Sequence, residues 1–206
     1  MLLEFNLLQK YNIAPTGVIH VGMHKAEEYP IYKKAGVKHM LFIEANKKLV
    51  DEFLTRSDID DLVYVANAAI SNKKEVIQFI ITNNGESSSI LELKDHSKIY
   101  PHIVETQRIE MTTKTLDNIM DIMDGYRPSS DFNIINLDIQ GAELKAMQGF
   151  TDWKYIDAVF TEVNYREMYA GCPMIEEITE FLLSKGLNKV EEVDTGCGWG
   201  DALYVR

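Results

Sequence analysis

The strongest constraint on the fold is a regular alternation of short apolar, β-branched segments with helix-like segments. Residues 17–22, 39–44 and 62–66 are apolar runs typical of buried strands. Residues 26–35 and 47–56, which separate these runs, have the pattern of helices. Parallel strands need crossover connections of about a dozen residues or more, and these are usually helical. The alternation therefore predicts β-α-β units and a parallel sheet.

The middle of the chain is less regular, and the alternation returns in the second half. A strand predicted at 75–82 is followed by the polar loop 83–89, and another strand is predicted at 108–113. The later predictions are helices at 115–123, 142–148 and 175–185, and strands at 132–138, 156–163, 188–193 and 201–205. The last two strands are predicted to form a closing antiparallel pair. We therefore predict an α/β fold with a Rossmann-like, mostly parallel sheet, an antiparallel C-terminal strand and helices on both faces.

A chain of 206 residues without an internal repeat or a linker-like segment is expected to form one domain. We predict a single domain over residues 1–206. Within it, residues 1–16 are expected to form an N-terminal helical extension, and residues 72–114 an irregular insertion with extra strands.

The charge balance limits the class of partner. The formal net charge is -11, and a surface this acidic repels both phosphate backbones and anionic lipid, so nucleic acid and membranes are disfavoured as partners. Cys172 and Cys197 are the two cysteines, too few for a disulfide framework. The sequence has no apolar run of about 18 residues and no leader-like start, so we expect a cytoplasmic location. The sequence does not fix an oligomeric state.

Two strand ends in the first half of the chain predict a nucleoside site. The first strand ends at Gly22, and Glu44 ends the second strand 22 residues later, which is the spacing of an acid that holds a ribose. Dinucleotides and S-adenosylmethionine are both held in this way. The loop after Gly22 lacks the other glycines of a dinucleotide loop, and Glu27 and Glu28 would repel a pyrophosphate. A sulfonium ligand tolerates these acids, although they could equally serve only the helix dipole.

Polar side chains at two later strand ends predict proton-transfer chemistry. Asp138, Glu143, Glu162 and Asn164 are expected to converge near the ligand end of the sheet, where neighbouring carboxylates raise one another's pKa. Asp138 is the first candidate for a general base, with Glu143 and Glu162 behind it. The alternatives are a helix cap for Asp138, a first-turn helix acid for Glu143, and an ion pair with Arg166 for Glu162.

At these positions the sequence resembles the FkbM-type S-adenosylmethionine-dependent methyltransferases, from about residue 17 to residue 206. The most specific part is residues 136–143 (NLDIQGAE), which resemble the D-x-x-G-x-E stretch of that family. Further similarity lies at residues 42–46, 67–71, 115–117, 162–164 and 198–204. The resemblance implies a Rossmann-like methyltransferase sheet, S-adenosylmethionine as cofactor, and O-methylation of a hydroxyl on a small molecule or glycan.

Carried over residue by residue, the resemblance implies a cofactor site with Glu44 on the ribose hydroxyls and Asn67 and Ala68 facing the adenine. The residues implied for cofactor binding are Gly22, Met23, His24, Glu44, Ala45, Asn67, Ala68 and Asp138. The sequence departs from the family pattern at His20, which stands in place of an acid, and at Gln140, where glutamate is more common. Asp138, Glu27 and Glu28 are the candidates for holding the methionine ammonium.

Other residues carry weaker predictions. Ser88 and Ser89 match a serine pair of the family and could line the site or belong to a solvated loop. His24 could face the ligand or cap a helix, His20 is expected to be a buried histidine, and Tyr165 and Tyr169 could line an acceptor pocket or simply pack. His96 and His102 are predicted to lie in exposed loops without partners, and the cysteines have no zinc-site spacing.

Three alternatives concern the metal content and the function. Asp138, Glu162 and Asn164 could instead hold Mg²⁺, because oxygen ligands at adjacent strand ends suit that ion. The chain could also be a non-catalytic domain that keeps the methyltransferase sheet, since its first loop departs from the family pattern. A nicotinamide-dependent oxidoreductase is disfavoured by the missing glycines.

Overall fold

The computed structural model describes residues 2–60, 62–123 and 128–206. In these residues, seven strands form one sheet in the order β3 (Val63–Asn67), β2 (His39–Glu44), β1 (Gly17–Val21), β6 (Ile134–Leu137), β7 (Ala158–Asn164), β9 (Trp199–Val205) and β8 (Asn188–Asp194). All neighbouring strands are parallel except at β9, which is antiparallel to both β7 and β8. The predicted α/β fold, with its mostly parallel sheet and antiparallel C-terminal strand, is confirmed.

The helices cover both faces of this sheet, as predicted. The helices of the described residues are α1 (Tyr29–Lys34), α2 (Lys47–Leu54), α3 (Asp95–Ile99), α4 (Leu116–Met123), α5 (Glu143–Gln148) and α6 (Ile175–Ser184), with short 3-10 helices at Phe5–Tyr11, Ser129–Asp131 and Trp153–Tyr155. Helices α4, α5 and α6 bury their apolar sides in one core, against Ile19 and the residues that share its side of the sheet. The N-terminal 3-10 helix, α1 and α2 pack on the opposite side, against Val18 and Phe42. We call this second side the α1 face.

Successive strand residues point to opposite sides of a sheet, so the two cores separate by residue parity. Val18, Ile134 and Phe160 lie in the core of the α1 face, whereas their chain neighbours Ile19, Ile135 and Val159 lie in the other core. Burial on both faces explains why the central strands are continuously apolar.

The segment 72–114, predicted as an irregular insertion, contains a two-stranded antiparallel sheet. Its strands are β4 (Val76–Thr82) and β5 (Glu105–Thr112), and α3 lies between them in the chain. The predicted N-terminal helical extension contains the 3-10 helix Phe5–Tyr11, while Met1 lies outside the described residues.

The helix predicted at 26–35 is shorter than expected. Helix α1 begins at Tyr29, after Glu28 as its N-cap residue. The cause is the preceding backbone, because His24 and Ala26 have φ angles of 48° and 55°. Residues in this left-handed region cannot continue a right-handed helix. Glu27 and Glu28 therefore belong to the turn between β1 and α1 and not to a first helical turn.

None of the described helices has the length and apolar character needed to cross a membrane.

Candidate active site

A cavity of about 520 Å³ lies where the carboxyl ends of β1, β2, β6 and β7 meet. Strand order reverses between β1 and β6, because β1 has β2 on one side and β6 on the other. Ligands of open α/β sheets bind at such a reversal, outside the carboxyl ends of the strands. Residues 84–90, the predicted polar loop with its flanking residues, form a further wall of the cavity. This is where the sequence predicted a site.

Glu44 ends β2 with its carboxylate in the cavity wall. The side chain accepts the backbone N–H of His24 through Oε2 at 3.0 Å and that of Asn46 through Oε1 at 2.7 Å. Glu44 is 7% exposed. Burial raises the pKa of Glu44, and these backbone N–H groups counteract part of that increase. Each carboxylate oxygen accepts more than one hydrogen bond, so Glu44 keeps capacity for ligand hydroxyls.

Gly22, implied as a cofactor-binding residue, also permits a close backbone contact between β1 and β6. Its φ angle is 87°, and a Cβ atom at this position would lie 1.8 Å from the backbone oxygen of Asp138. Only glycine permits this contact, because any Cβ would overlap the neighbouring backbone. Gly22 therefore brings the end of β1 against the end of β6, and it also lines the cavity beside Met23 and His24.

His24 is held by the turn that contains it. Its Nδ1 lies 3.0 Å from Oε1 of Glu27, and its backbone N–H is fixed on Glu44. His24, Glu27 and Glu28 all line the cavity. The loop after β1 is therefore tied to the carboxylate at the end of β2, which joins two parts of the predicted cofactor site.

Asp138 and Glu162 are joined by one amide group. Nε2 of Gln140 donates to Oδ1 of Asp138 at 2.7 Å and to Oε2 of Glu162 at 2.6 Å. The hydroxyl of Tyr169 donates to Oε1 of Gln140, which fixes the orientation of the amide. Gln140 has a φ angle of 57°, uncommon for a residue other than glycine, and this conformation turns its side chain toward both acids.

Burial shifts the proton equilibrium of both acids upward. It raises the pKa of Asp138 to about 6, against a partial opposing effect of the Gln140 hydrogen bond. The pKa of Glu162 rises well above its usual value, first through burial and then through the charges of Asp138, Glu143 and Asp201. A carboxylate with the raised pKa of Asp138 can take up a proton near neutral pH. Both acids line the cavity, as the sequence predicted.

Glu143 lies behind the cavity wall and not in it. Its Oε1 accepts the backbone N–H groups of Ile139 and Gly141, at 3.0 and 3.1 Å, and so closes the turn that follows β6. The side chain is fully buried, and burial raises its pKa to about 7. The structure thus places Glu143 as a support for the turn that carries Gln140.

Three residues implied for cofactor binding, Ala45 and the adenine-facing pair Asn67 and Ala68, are placed differently from one another. Ala45 and Ala68 line the cavity, whereas Asn67 is outside its described lining. Nδ2 of Asn67 donates to the backbone oxygens of Glu44 and Ala45, at 2.9 and 3.0 Å. Asn67 therefore fixes the chain after β2.

His20 is buried, as predicted, but it also reaches the cavity. Its Nδ1 lies 3.1 Å from the hydroxyl of Tyr32, which in turn accepts Nδ2 of Asn136 at 2.7 Å. Burial lowers the pKa of His20 to about 4, so the imidazole is neutral at physiological pH. His20 and Asn136 add neutral polar groups to the wall next to Asp138.

His96 differs most from the sequence prediction. It was expected in an exposed loop, but it is 5% exposed, lines the cavity and lies 3.1 Å from Oγ of Ser87 through Nε2. Its ring contacts those of Tyr100 and Tyr169. The prediction for His96 is wrong because packing of α3 against the segment around Tyr169 buries it, and the sequence of α3 has no periodic signal of that contact. His102 is exposed.

The two members of the predicted serine pair, and likewise the two predicted tyrosines, make different contacts. Oγ of Ser89 donates to the backbone oxygen of Gln140 at 2.8 Å, whereas Oγ of Ser88 accepts the backbone N–H of Thr82 within its own loop. Tyr169 lines the cavity, but Tyr165 donates to Glu192 outside its described lining. Ser89 therefore anchors the loop to the turn of Gln140.

The residues predicted as an alternative Mg²⁺ site do not fit that ion. The Gln140 amide, a hydrogen-bond donor, bridges Asp138 and Glu162. Magnesium requires oxygen ligands in near-octahedral arrangement. No group of three or more His, Cys, Asp or Glu side chains among the described residues is arranged to hold a metal. Cys172 and Cys197 are both free.

Asp201 is a cavity residue that the sequence analysis missed. It is 5% exposed and lies directly opposite Glu162 in the β7–β9 pair. An acid within the otherwise apolar segment 199–205 was the available signal. Its position opposite Glu162 depends on the register between two strands far apart in the chain.

The fold is similar to that of several solved methyltransferases. The chain is similar to TrmK from M. capricolum in complex with S-adenosyl-homocysteine, with 9% identity and a TM-score of 0.52 over 100% of this chain and 69% of that chain. It is similar to magnesium protoporphyrin IX methyltransferase from Synechocystis PCC 6803 with bound SAM, with 9% identity and a TM-score of 0.51 over 97% and 74% of the two chains. N-methyltransferase NodS from Bradyrhizobium japonicum WM9 shares 10% identity and a TM-score of 0.50 over 99% of both.

At these identities the structural likeness establishes the fold, and the family follows from the sequence. No curated protein matches the chain. The profile of the methyltransferase FkbM domain matches residues 20–188, which include the carboxyl end of β1 and all of β2, β6 and β7. The chain therefore belongs to the FkbM methyltransferase family.

Proposed function

We propose that this protein is an S-adenosylmethionine-dependent O-methyltransferase that acts on a hydroxyl of a small molecule or glycan. The observation that carries the proposal is the half-buried Asp138 carboxylate in the cavity wall, oriented by Gln140 and with its pKa raised to about 6. A base with a pKa near neutrality is suited to removing the proton of an acceptor. Membership of the FkbM methyltransferase family supports the reaction class.

The cofactor would be held along the ends of β2 and β1. Glu44 would accept the ribose hydroxyls, with Ala45 and Ala68 beside the adenine and Met23 and His24 along the chain of the cofactor. The observation that supports this fit is the buried Glu44 carboxylate, which uses one lone pair of each oxygen on backbone N–H groups. When bound, S-adenosylmethionine supplies an electrophilic methyl group on a positively charged sulfur atom.

The protein's own residues would orient the acceptor and take its proton. Gln140 holds Oδ1 of Asp138, so Oδ2 is the atom proposed to receive the proton of the acceptor hydroxyl. Glu162 shares the Gln140 amide and would tune this basicity through its charge. Orientation and exclusion of water would supply most of the acceleration. We assign Glu143 a supporting role, since its carboxylate is used by the turn.

Two measurements test this proposal. Calorimetry with S-adenosylhomocysteine is expected to show binding in wild type and weaker binding in a Glu44 variant. An acceptor screen that detects S-adenosylhomocysteine formation is expected to show turnover that EDTA does not reduce. Failure to bind S-adenosylhomocysteine would contradict the cofactor assignment and favour a non-catalytic domain. Methylated nitrogen in the product would contradict the assignment of oxygen as the acceptor atom.

A further inference from the structure

We infer that the acceptor end of the cavity binds a protonated amine, so that the acceptor carries an amino group next to the hydroxyl that is methylated. The inference rests on the proposed function and names its substrate class. It depends on four side chains at the ends of β6, β7 and β9, which we call the amine subsite: Asn136, Glu162, Asn164 and Asp201.

Sheet order separates this subsite from the proposed ribose site. Glu44 ends β2, whereas the amine subsite lies on the strands beyond β1. If the ribose is at β2 and the cofactor passes β1, the acceptor must approach from β6, β7 and β9. All four side chains share the parity of Phe160 and therefore point to the α1 face, and all four line the cavity. In the sheet, Asn136 lies beside Phe160, and Glu162 lies directly opposite Asp201.

The subsite contains two buried acids in direct cross-strand opposition. Glu162 is 6% and Asp201 5% exposed. Like charges directly opposite each other destabilise an antiparallel pair. The cavity as a whole has seven carboxylates in its wall, and none of its described lining residues is lysine or arginine. A cation between the two acids would relieve the repulsion, whereas an anionic acceptor would add to it.

Asn164 provides an independent sign that a ligand belongs here. It is fully buried and lines the cavity, yet neither its Oδ1 nor its Nδ2 has a hydrogen-bond partner among the described residues. Oδ1 of Asn136 is likewise without a partner in the described part of the chain. Buried polar atoms are nearly always bonded, and leaving one unpaired costs about 1–3 kcal/mol. Such atoms in a cavity wall indicate a polar ligand.

The balance of donors and acceptors selects the kind of polar ligand. Among the described residues, the hydrogen bonds of Glu162 and Asp201 engage Oε2 and Oδ2, through Gln140 and through the backbone N–H groups of Leu2 and Leu3. Oε1 and Oδ1 remain, together with the two asparagine oxygens, while Nδ2 of Asn164 is a single donor group. An ammonium offers three donors and no acceptor, which matches this set. The Asn164 amide can then donate to an adjacent hydroxyl.

Three small probes on one carbon skeleton test the inference. The protein contains Trp153 and Trp199, whose indole N–H signals can be followed in isotope-labelled protein. Trp199 lines the cavity and donates to Tyr100, whereas Trp153 is bonded to the backbone oxygen of Phe150 and serves as an internal control. We expect 2-amino-1,3-propanediol to shift the Trp199 signal saturably. The concentration of glycerol that gives half of the maximal shift should be at least about tenfold higher than that of the amine. Glycerate should produce no saturable shift of the Trp199 signal.

Two matched variants assign the effect to the subsite. Asp201→Asn keeps an oxygen for the Leu2 and Leu3 N–H groups but removes the charge, and it should raise the half-saturating concentration of the amine at least about fivefold while leaving glycerol unchanged. Asp194→Asn makes the same charge change at an exposed position of β8 and should have no effect. Equal binding of amine and glycerol, or preference for glycerate, overturns the inference.

Calorimetry with S-adenosylhomocysteine on the same samples keeps this test distinct from that of the proposed function. Binding of S-adenosylhomocysteine without an amine preference leaves the proposed methyl transfer standing and overturns the amine subsite. An amine preference without S-adenosylhomocysteine binding supports a cation site and overturns the proposed cofactor chemistry.

Discussion

Replacement of Asp138 by asparagine separates the energetic cost of this carboxylate from its proposed function. Asparagine keeps the shape of the side chain and an oxygen that can accept the Gln140 amide at the position of Oδ1. The substitution therefore removes a negative charge from a half-buried site while the hydrogen bond to Gln140 is kept. We expect Asp138→Asn to make the fold more stable near neutral pH.

The magnitude follows from the pKa of Asp138, which burial raises from 3.8 to about 6. Because the folded-state pKa is the higher one, the fold retains a proton that the unfolded chain has lost, and stability falls as pH rises between these values. Each pKa unit corresponds to about 1.4 kcal/mol, which gives about 3 kcal/mol at most. Partial exposure of the side chain reduces this, so we expect a gain of about 1–3 kcal/mol above pH 6 and almost none at about pH 4.

Urea unfolding of wild type and Asp138→Asn at about pH 4.5 and about pH 8 measures this difference. Asp58→Asn is the control, because the hydrogen bond from Arg56 lowers the pKa of Asp58. Asp58→Asn should therefore reduce the free energy of unfolding at the higher pH, which is opposite to the effect expected of Asp138→Asn. If Asp138→Asn were no more stable than wild type at the higher pH, the description of Asp138 as a half-buried charge that destabilises the fold would be refuted.

The remaining predictions concern the activity of Asp138→Asn and the properties of three further variants. Asp138→Asn should lower turnover by about 10²-fold or more, with little change in S-adenosylhomocysteine affinity. Glu44→Gln puts an NH₂ group opposite a backbone N–H and should weaken S-adenosylhomocysteine binding in calorimetry by about 1–3 kcal/mol. Gly22→Ala places Cβ on the Asp138 backbone and should reduce the free energy of unfolding in urea by about 1–3 kcal/mol. Gln140→Met removes a bond that lowers the pKa of Asp138, so the acid limb of the pH–kcat/KM profile should move to higher pH.

The fold was predictable because its signals are local. The strands of the large sheet other than β8 are short, mainly apolar runs, and the helices between the first strands imposed parallel pairing. The antiparallel position of β9 also follows, since the turn before it is too short for a crossover. The start of α1 was not predictable, because the left-handed conformations of His24 and Ala26 are stabilised by the contact of this loop with Glu44.

The site was predictable at the level of strand ends but not of side-chain direction. Glu44, Asp138 and Glu162 lie in the cavity wall, whereas Asn67 and Glu143 are used by nearby backbone groups. Short polar side chains next to a turn can bond the local backbone or face a ligand, and composition does not distinguish the two outcomes. The turn conformation decides between them, and it depends on contacts from distant parts of the chain.

Residue parity accounts for the chemistry on the α1 face of the sheet. In β2 the inward series on this face is Met40, Phe42 and Glu44, and in β7 it is Ala158, Phe160 and Glu162. Each strand is apolar on this face until it nears the cavity at its carboxyl end, where a buried acid occupies the next inward position. Burying such an acid is costly, and the cost is compensated only where bonds from the protein or a ligand meet the charge. Glu44 accepts hydrogen bonds from two backbone N–H groups. Among the described residues, Glu162 accepts a hydrogen bond from the Gln140 amide, which also donates to Asp138. The compensation is therefore less complete at β7 than at β2, which makes the β7 end the place where a cationic ligand would gain most.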